Sequence, residues 1–187
     1  MPTHQIHDEK NTVYFVTFTC YNWLSLIELT YTYHYFDKWF SHLNSKKVSL
    51  LGYVIMPNHF HGLFFVPESC DQSLNTLVSN GKRFLAYEII KVLKARNEVT
   101  TLTLLEAGVS NAEKSKGSIH KVFRPSFDAK PCFDREMVET KLDYIHHNPV
   151  QGKWNLVQDW TEYPYSSAGF YELERPHEFL EHYMDFI

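Results

Sequence analysis

An α+β fold, a ferredoxin-like (RRM-like) antiparallel sheet with helices packed on it and one further helix outside that unit, is what the sequence predicts. Three observations lead there. Strand-like and helical patterns follow in the order strand, helix, strand, strand, helix, strand, which suits an antiparallel sheet with its helices on one face. The helical stretches carry apolar residues at helical spacing, so each has one side to bury. A last strongly patterned helix comes after the unit, and must lie against the open face or an edge of the sheet. At 187 residues, 44% hydrophobic, with only 7 Gly and 8 Pro, the chain suits one globular domain over 1–187, with a core from about 12 to 171 and a helical tail.

Each element follows from local pattern. Thr12 to Cys20 is dense in β-branched and aromatic residues and reads as a strand. Tyr35, Phe36, Trp39, Phe40 and Leu43 recur at helical spacing and predict a helix from about Thr30 to Asn44. Val48 to Ile55 is a second strand; Met56-Pro57-Asn58 supplies a turn; His59 to Val66 is a third strand. Leu74, Leu77, Val78, Phe84, Leu85, Ile89, Val92 and Leu93 mark a helix from about Ser73 to Arg96. Residues 99–119 have turn and linker character, and Val122 to Ala129, interrupted by Pro125, suits an edge strand. Asp134 is placed to cap a helix whose apolar side is Val138, Leu142 and Ile145, and Pro149 should end it near Asn148. A last helix is expected near His177 to Tyr183.

Two segments carry chemistry. Residues two apart on a strand share a face, so His59 and His61 can offer two imidazoles to one divalent ion while Phe60 points into the core. Residues four apart on a helix stack, so the Tyr144 hydroxyl and the Asn148 side-chain carbonyl share one side, with the Tyr144 ring expected near Leu142 and Ile145. A tyrosine beside a two-histidine, one-amide metal site suits attack on a phosphodiester. Each piece also has a plain structural use: His-x-His pairs arise by chance, a helix tyrosine is usually packing, and His146 and His147 suit surface or packing roles.

Composition limits the partners. The net charge of −4 opposes a nucleic-acid partner, but it is unevenly spread: from Lys82 to Lys130 ten Lys and Arg face five acids. Lys82, Arg83, Lys91, Lys94 and Arg96 are therefore the candidate phosphate contacts, with a solvated helix face as the alternative. Cys20, Cys70 and Cys132 form no Cys-x-x-Cys pair and suit reduced structural thiols. No segment is long and apolar enough for a membrane span, and Met1-Pro2-Thr3-His4 does not start a leader, so a soluble cytoplasmic protein is expected.

Four pieces in order, Tyr14-Phe15-Val16-Thr17-Phe18, Gly52-Tyr53-Val54-Ile55-Met56-Pro57-Asn58-His59-Phe60-His61, Asp143-Tyr144-Ile145-His146-His147-Asn148-Pro149-Val150 and Tyr163-Pro164-Tyr165-Ser166-Ser167-Ala168, resemble the REP-associated tyrosine transposases, within the insertion-sequence-200-like single-tyrosine HUH transposases. The resemblance implies that His59, His61 and Asn148 hold Mg²⁺ or Mn²⁺ and that Tyr144 is the nucleophile. It further implies a single-stranded DNA substrate folded as a hairpin of the repetitive extragenic palindrome type. The product of the first step would be a 5′-phosphotyrosine and a free 3′-hydroxyl, made by a monomer or homodimer. Asn148 suits the REP-associated branch, whereas mobile relatives tend to carry glutamine there; Gln151-Gly152-Lys153-Trp154 lacks the arginine often found after Asn-Pro-Val. Two other expectations compete: a nucleic-acid-binding module on the same sheet that does not cut, and a metal phosphohydrolase that uses water and has no need of Tyr144.

Overall fold

The computed structural model describes His7 and residues 9–187; the leader expectation at Met1 to His4 lies outside the described residues. Strands β1 (Thr12–Thr19), β2 (Ser49–Ile55), β3 (His59–Val66) and β4 (Asp128–Cys132) form one sheet in the order β2-β3-β1-β4. All three strand pairs are antiparallel. This is the α+β fold and ferredoxin-like strand order that the sequence predicts.

Strand alternation divides the interior in two. On β1 and β3, Tyr14, Val16, Phe18, Phe60, Phe64 and Val66 face one side, where they pack under helices α2 (Tyr35–Ser45) and α3 (Leu74–Ala95). On the other side Val13, Phe15 and Leu63 join Leu51 and Val54 of β2 under helix α6 (Arg135–His147), which contributes Val138, Leu142 and Ile145. The sheet is thus covered on both faces, and α6 occupies the face that the ferredoxin-like unit leaves open.

Gly52 sets how closely α6 approaches. A Cβ built there would sit 2.5 Å from Leu142 Cδ2, so a larger residue would force the Leu142 side chain to repack against β2. The segment after α6 fixes it from the side. Tyr165 accepts a backbone hydrogen bond from Ile55 N at 2.9 Å, Ser166 bridges Val54, and Ser167 Oγ meets Tyr53 N at 2.9 Å and His146 Nε2 at 2.9 Å. Tyr-Pro-x-Ser-Ser is therefore a short edge addition to β2 and a clamp on α6. His146 is buried and stacked on Trp160, a packing role.

Several elements differ from expectation. The first predicted helix is broken: α1 (Leu26–Thr30) ends where Tyr31 takes a left-handed φ of 53°, and α2 starts afresh after one 3-10 turn. Residues 99–119 are largely helical, as α4 (Val99–Ala107) and α5 (Asn111–Lys114). Leu105 of α4 is buried in the core, and Ser110 and Glu113 form a reciprocal capping box that starts α5. The edge strand lies later than Val122 to Ala129, since Pro125 interrupts that run; Phe123 makes only an isolated bridge to Cys20. Edge position is what lets β4 hold Pro131. Asn148 keeps α-helical angles, φ −53° and ψ −41°, despite Pro149, and passes into a 3-10 turn. No α-helix forms over His177 to Tyr183, because Leu180 bridges Leu50 and Glu181 N donates to Leu50 O at 3.0 Å; a 3-10 turn starts only at Tyr183 (Tyr183–Asp185), and the tail's α-helix is α7 (Ala168–Glu172).

Candidate metal centre and nucleophile

His59 and His61 open β3, and strand alternation turns both away from Phe60 toward the α6 side. There they line a cleft of about 670 Å³ together with Tyr144 and Asn148 of the α6 end. The ring centroids of His59 and His61 are 4.8 Å apart. Tyr144 Oη lies 3.5 Å from His61 Nε2, and the ring stands edge-on to His61 and Phe15 at 5.1 and 6.0 Å. Leu142 and Ile145, the expected neighbours of the Tyr144 ring, instead turn into the core. Helical geometry at Asn148 keeps its side chain stacked one turn beyond Tyr144.

Each histidine has one ring nitrogen engaged behind it. His59 Nδ1 meets Asn58 Oδ1 at 2.7 Å, and Asn58 Nδ2 donates to Trp23 O at 2.8 Å, which fixes the Asn58 amide with its oxygen toward the ring. His61 Nδ1 meets Thr17 Oγ1 at 2.6 Å, from the residue directly opposite on β1. For His59 the acceptor-only Asn58 oxygen makes Nδ1–H the donor and leaves the lone pair on Nε2, the arrangement of metal-binding histidines; the Thr17 hydroxyl can accept from His61 Nδ1–H and so permits the same arrangement there.

Electrostatics point the same way. Burial lowers His59 to about 4, outweighing an upward pull from the Asn148 side chain and helped by Lys153. Burial lowers His61 to about 3, reinforced by His59 and Lys141. Both imidazoles are neutral near pH 7, as ligands must be. Asn148 Oδ1 is buried and, though near enough to His59 to act on it, meets no donor with hydrogen-bond geometry. A buried carbonyl oxygen of this kind costs about 1–3 kcal/mol unless something satisfies it. Among the described residues no cluster of three His, Cys, Asp or Glu side chains could hold a metal; the further side-chain oxygen beside the two imidazoles is the Asn148 amide. Two neutral imidazoles and an unsatisfied amide oxygen lining one cleft fit a divalent ion.

These shifts have a stability consequence. His59, His61 and His146, the last lowered to about 4 mainly by burial, stay neutral in the folded chain where the unfolded chain would bind protons near 6.5. Proton uptake by the unfolded state makes stability fall as pH drops from 6.5 toward 4, by up to about 1.4 kcal/mol per pH unit for each histidine. Denaturant unfolding at a series of pH values should show this loss; a flat profile over that window would contradict the buried, neutral assignment.

The expected basic face is not at this cleft. α3 packs on the side of the sheet to which Phe60 points, opposite the histidines. Lys82 is buried and its ammonium donates to the carbonyls of Arg124, Pro125 and Ser126 at 2.7, 3.2 and 3.0 Å, with burial lowering its pKa to about 8. It clamps the chain before β4. Arg83 donates to Asn80 Oδ1, Lys91 pairs with Glu88, Arg96 donates to Leu29 O at 2.6 Å, and Lys94 is exposed on the same helix. The cations that line the cleft are Arg124, Lys130, Lys141 and Lys153, against one acid, Asp128. Sequence reasoning missed Arg124, Lys130 and Lys153 because they come from separate segments. Lys130 lies one residue beyond the expected edge strand, and the register of β4 brings it opposite Phe15.

A second cleft, of about 650 Å³, opens beside the β2 edge between Tyr53, Tyr163 and His177. The Tyr53 hydroxyl there is tied to His177 Nε2 at 3.0 Å, and His34 and Asp37 line the same space.

Among the described residues no helix is long and apolar enough to cross a membrane. No protein-family model matches the sequence, and no curated protein matches it. The structure is similar to a solved structure of a REP-associated tyrosine transposase bound to a REP hairpin, with a TM-score of 0.59 and 17% identity over 97% of this chain and 94% of that one. At that identity the likeness establishes a shared fold, and it extends along nearly the whole chain.

Proposed function

We propose that this chain is a metal-dependent single-stranded DNA endonuclease and strand transferase, a transposase-type enzyme that acts on hairpin DNA through a 5′-phosphotyrosine. The observation that carries the reading is the meeting of Tyr144 Oη with the His59, His61 and Asn148 donor set in one cation-lined cleft. The fold shared with a transposase bound to a REP hairpin supports it.

His59, His61 and Asn148 would hold Mg²⁺ or Mn²⁺. A bound divalent ion would neutralise phosphate charge and polarise the phosphorus toward attack. The chain's own part is positioning. Phe15 and His61 hold the phenol at the cleft, and Tyr144 is 41% exposed, open to a substrate backbone. Arg124, Lys130, Lys141 and Lys153 supply positive charge for adjoining phosphates. Tyr144 Oη then attacks phosphorus: an O–P bond to the tyrosine forms, the bond to the 3′ oxygen breaks, the phenolic proton leaves, and the departing oxygen becomes a 3′-hydroxyl. Reversal, or attack by another 3′-hydroxyl, restores the tyrosine and joins strands.

A labelled single-stranded hairpin incubated with the protein and Mn²⁺ should give a denaturant-resistant protein–DNA species that chelation prevents. Tight binding without cutting would favour the binding module; cutting without an adduct would favour a water-using phosphohydrolase. The cleft cations give a separate check. Replacing Lys130 and Lys141 with Gln should reduce the dependence of log affinity on log salt by about 0.7 for each phosphate no longer neutralised, whereas replacing Lys91 and Lys94 should leave it unchanged. The reverse outcome would move the DNA path to α3.

A further inference from the structure

Trp23 sits where a folded domain gains little from it. It is the exposed one of the four tryptophans, at 52%, in the 3-10 turn after β1. Asn22 and Trp23 both take left-handed angles, φ 50° and 58°, a conformation that non-glycine residues reach at a cost and that persists where surroundings impose it. The surroundings here are those of the metal centre. Asn58 Nδ2 holds Trp23 O at 2.8 Å, while Asn58 Oδ1 accepts from the His59 ring. The indole stands 6.2 Å from the His59 ring, edge to face, and the Arg124 guanidinium lies over the indole at 5.0 Å. Trp154 also approaches His59, at 5.7 Å, but it is half-buried and packs on the core.

An exposed indole carrying a guanidinium at the mouth of a cleft matches what a nucleotide requires: a flat apolar surface for the base and a fixed cation for its phosphate. Resting on the function proposed above, we infer that Trp23 and Arg124 form a nucleotide seat, in which a base adjoining the reacting phosphate stacks on Trp23 while Arg124 takes a neighbouring phosphate. Asn58 couples the seat to the metal centre, so the base is registered against His59 by a single side chain. Stacking accepts any base, so the seat would set where along the strand the backbone enters the cleft and would leave sequence selection to other contacts.

The test uses the full chain without metal and a mixed-sequence single-stranded DNA, read by fluorescence anisotropy. Trp23→Leu should weaken binding about tenfold, Trp23→Phe should retain most of the affinity, and both should keep the wild-type salt dependence. Arg124→Gln should flatten that dependence. With an abasic site stepped along the strand, wild type should lose affinity at a defined position that Trp23→Leu no longer senses. Trp23→Leu binding as wild type does, or keeping the wild-type abasic profile, would overturn the seat. Failure of wild type to bind single-stranded DNA would overturn both the seat and the proposed function. A normal abasic profile in a protein that never forms the Tyr144 adduct would sink the strand-transfer reading and leave the seat standing.

Discussion

Tyr144→Phe is expected to abolish the covalent protein–DNA species while leaving the fold and DNA affinity intact. The substitution removes one oxygen, whose polar contact is the long one, 3.5 Å to His61 Nε2. The ring that remains keeps its edge-on contacts with Phe15 and His61. Because the residue is 41% exposed and its hydroxyl closes no buried network, the change in stability should stay within about 0.5 kcal/mol. Unfolding curves and anisotropy with a single-stranded hairpin check the two unchanged properties, and denaturing electrophoresis checks the abolished one. An adduct that survives the substitution would assign the nucleophile to another side chain. Cutting that survives without an adduct would assign the chemistry to water.

The second large effect concerns His59 and His61. Replacing both with Ala should eliminate the rise in melting temperature that Mn²⁺ gives the wild-type protein, which for one site at a hundredfold excess over Kd corresponds to about 2.7 kcal/mol. Asn148→Ala should weaken the same response and also remove the buried oxygen that has no donor, so the metal-free protein should not lose stability through that group. Thr17→Val and Asn58→Leu act one step back. Each leaves the imidazole in place but removes the partner of its Nδ1, and should lower metal affinity about 10- to 100-fold. A thermal response to Mn²⁺ retained in the double variant would place the ion elsewhere. Single-stranded DNA binding, which the proposed function assigns to the cleft cations Arg124, Lys130, Lys141 and Lys153, should survive in part.

Much of this arrangement is legible in the sequence because it depends on local periodicity. The strand period alone turns His59 and His61 to one face and Phe60 to the other, and the helical period alone stacks Asn148 on Tyr144. What the periods do not contain is where separate segments meet. Lys82 follows the same basic pattern as Arg83, yet its position on α3 points it at three carbonyls before β4, a fact visible only once residues 124–126 are placed. Lys130 reaches the cleft through the register that sets it opposite Phe15, and that strand is obscured by its Pro131 and polar composition. The run over α4 begins a stretch of turn and linker character, and it is helical because Leu105 has core to fill. Trp23 gives no sequence signal, since an exposed tryptophan in a turn acquires meaning only from its neighbours.

Whether Tyr144 is the nucleophile of a strand-transfer reaction is decided most sharply by mass spectrometry of the proteolysed adduct. The protein should be incubated with Mn²⁺ and a single-stranded hairpin, denatured, and digested with protease and nuclease. The expected product is a nucleotide joined through its 5′ phosphate to Tyr144 within the 142–148 segment, with a free 3′-hydroxyl on the released strand. A nucleotide on any other residue, or cleaved DNA with no modified peptide, would contradict that assignment.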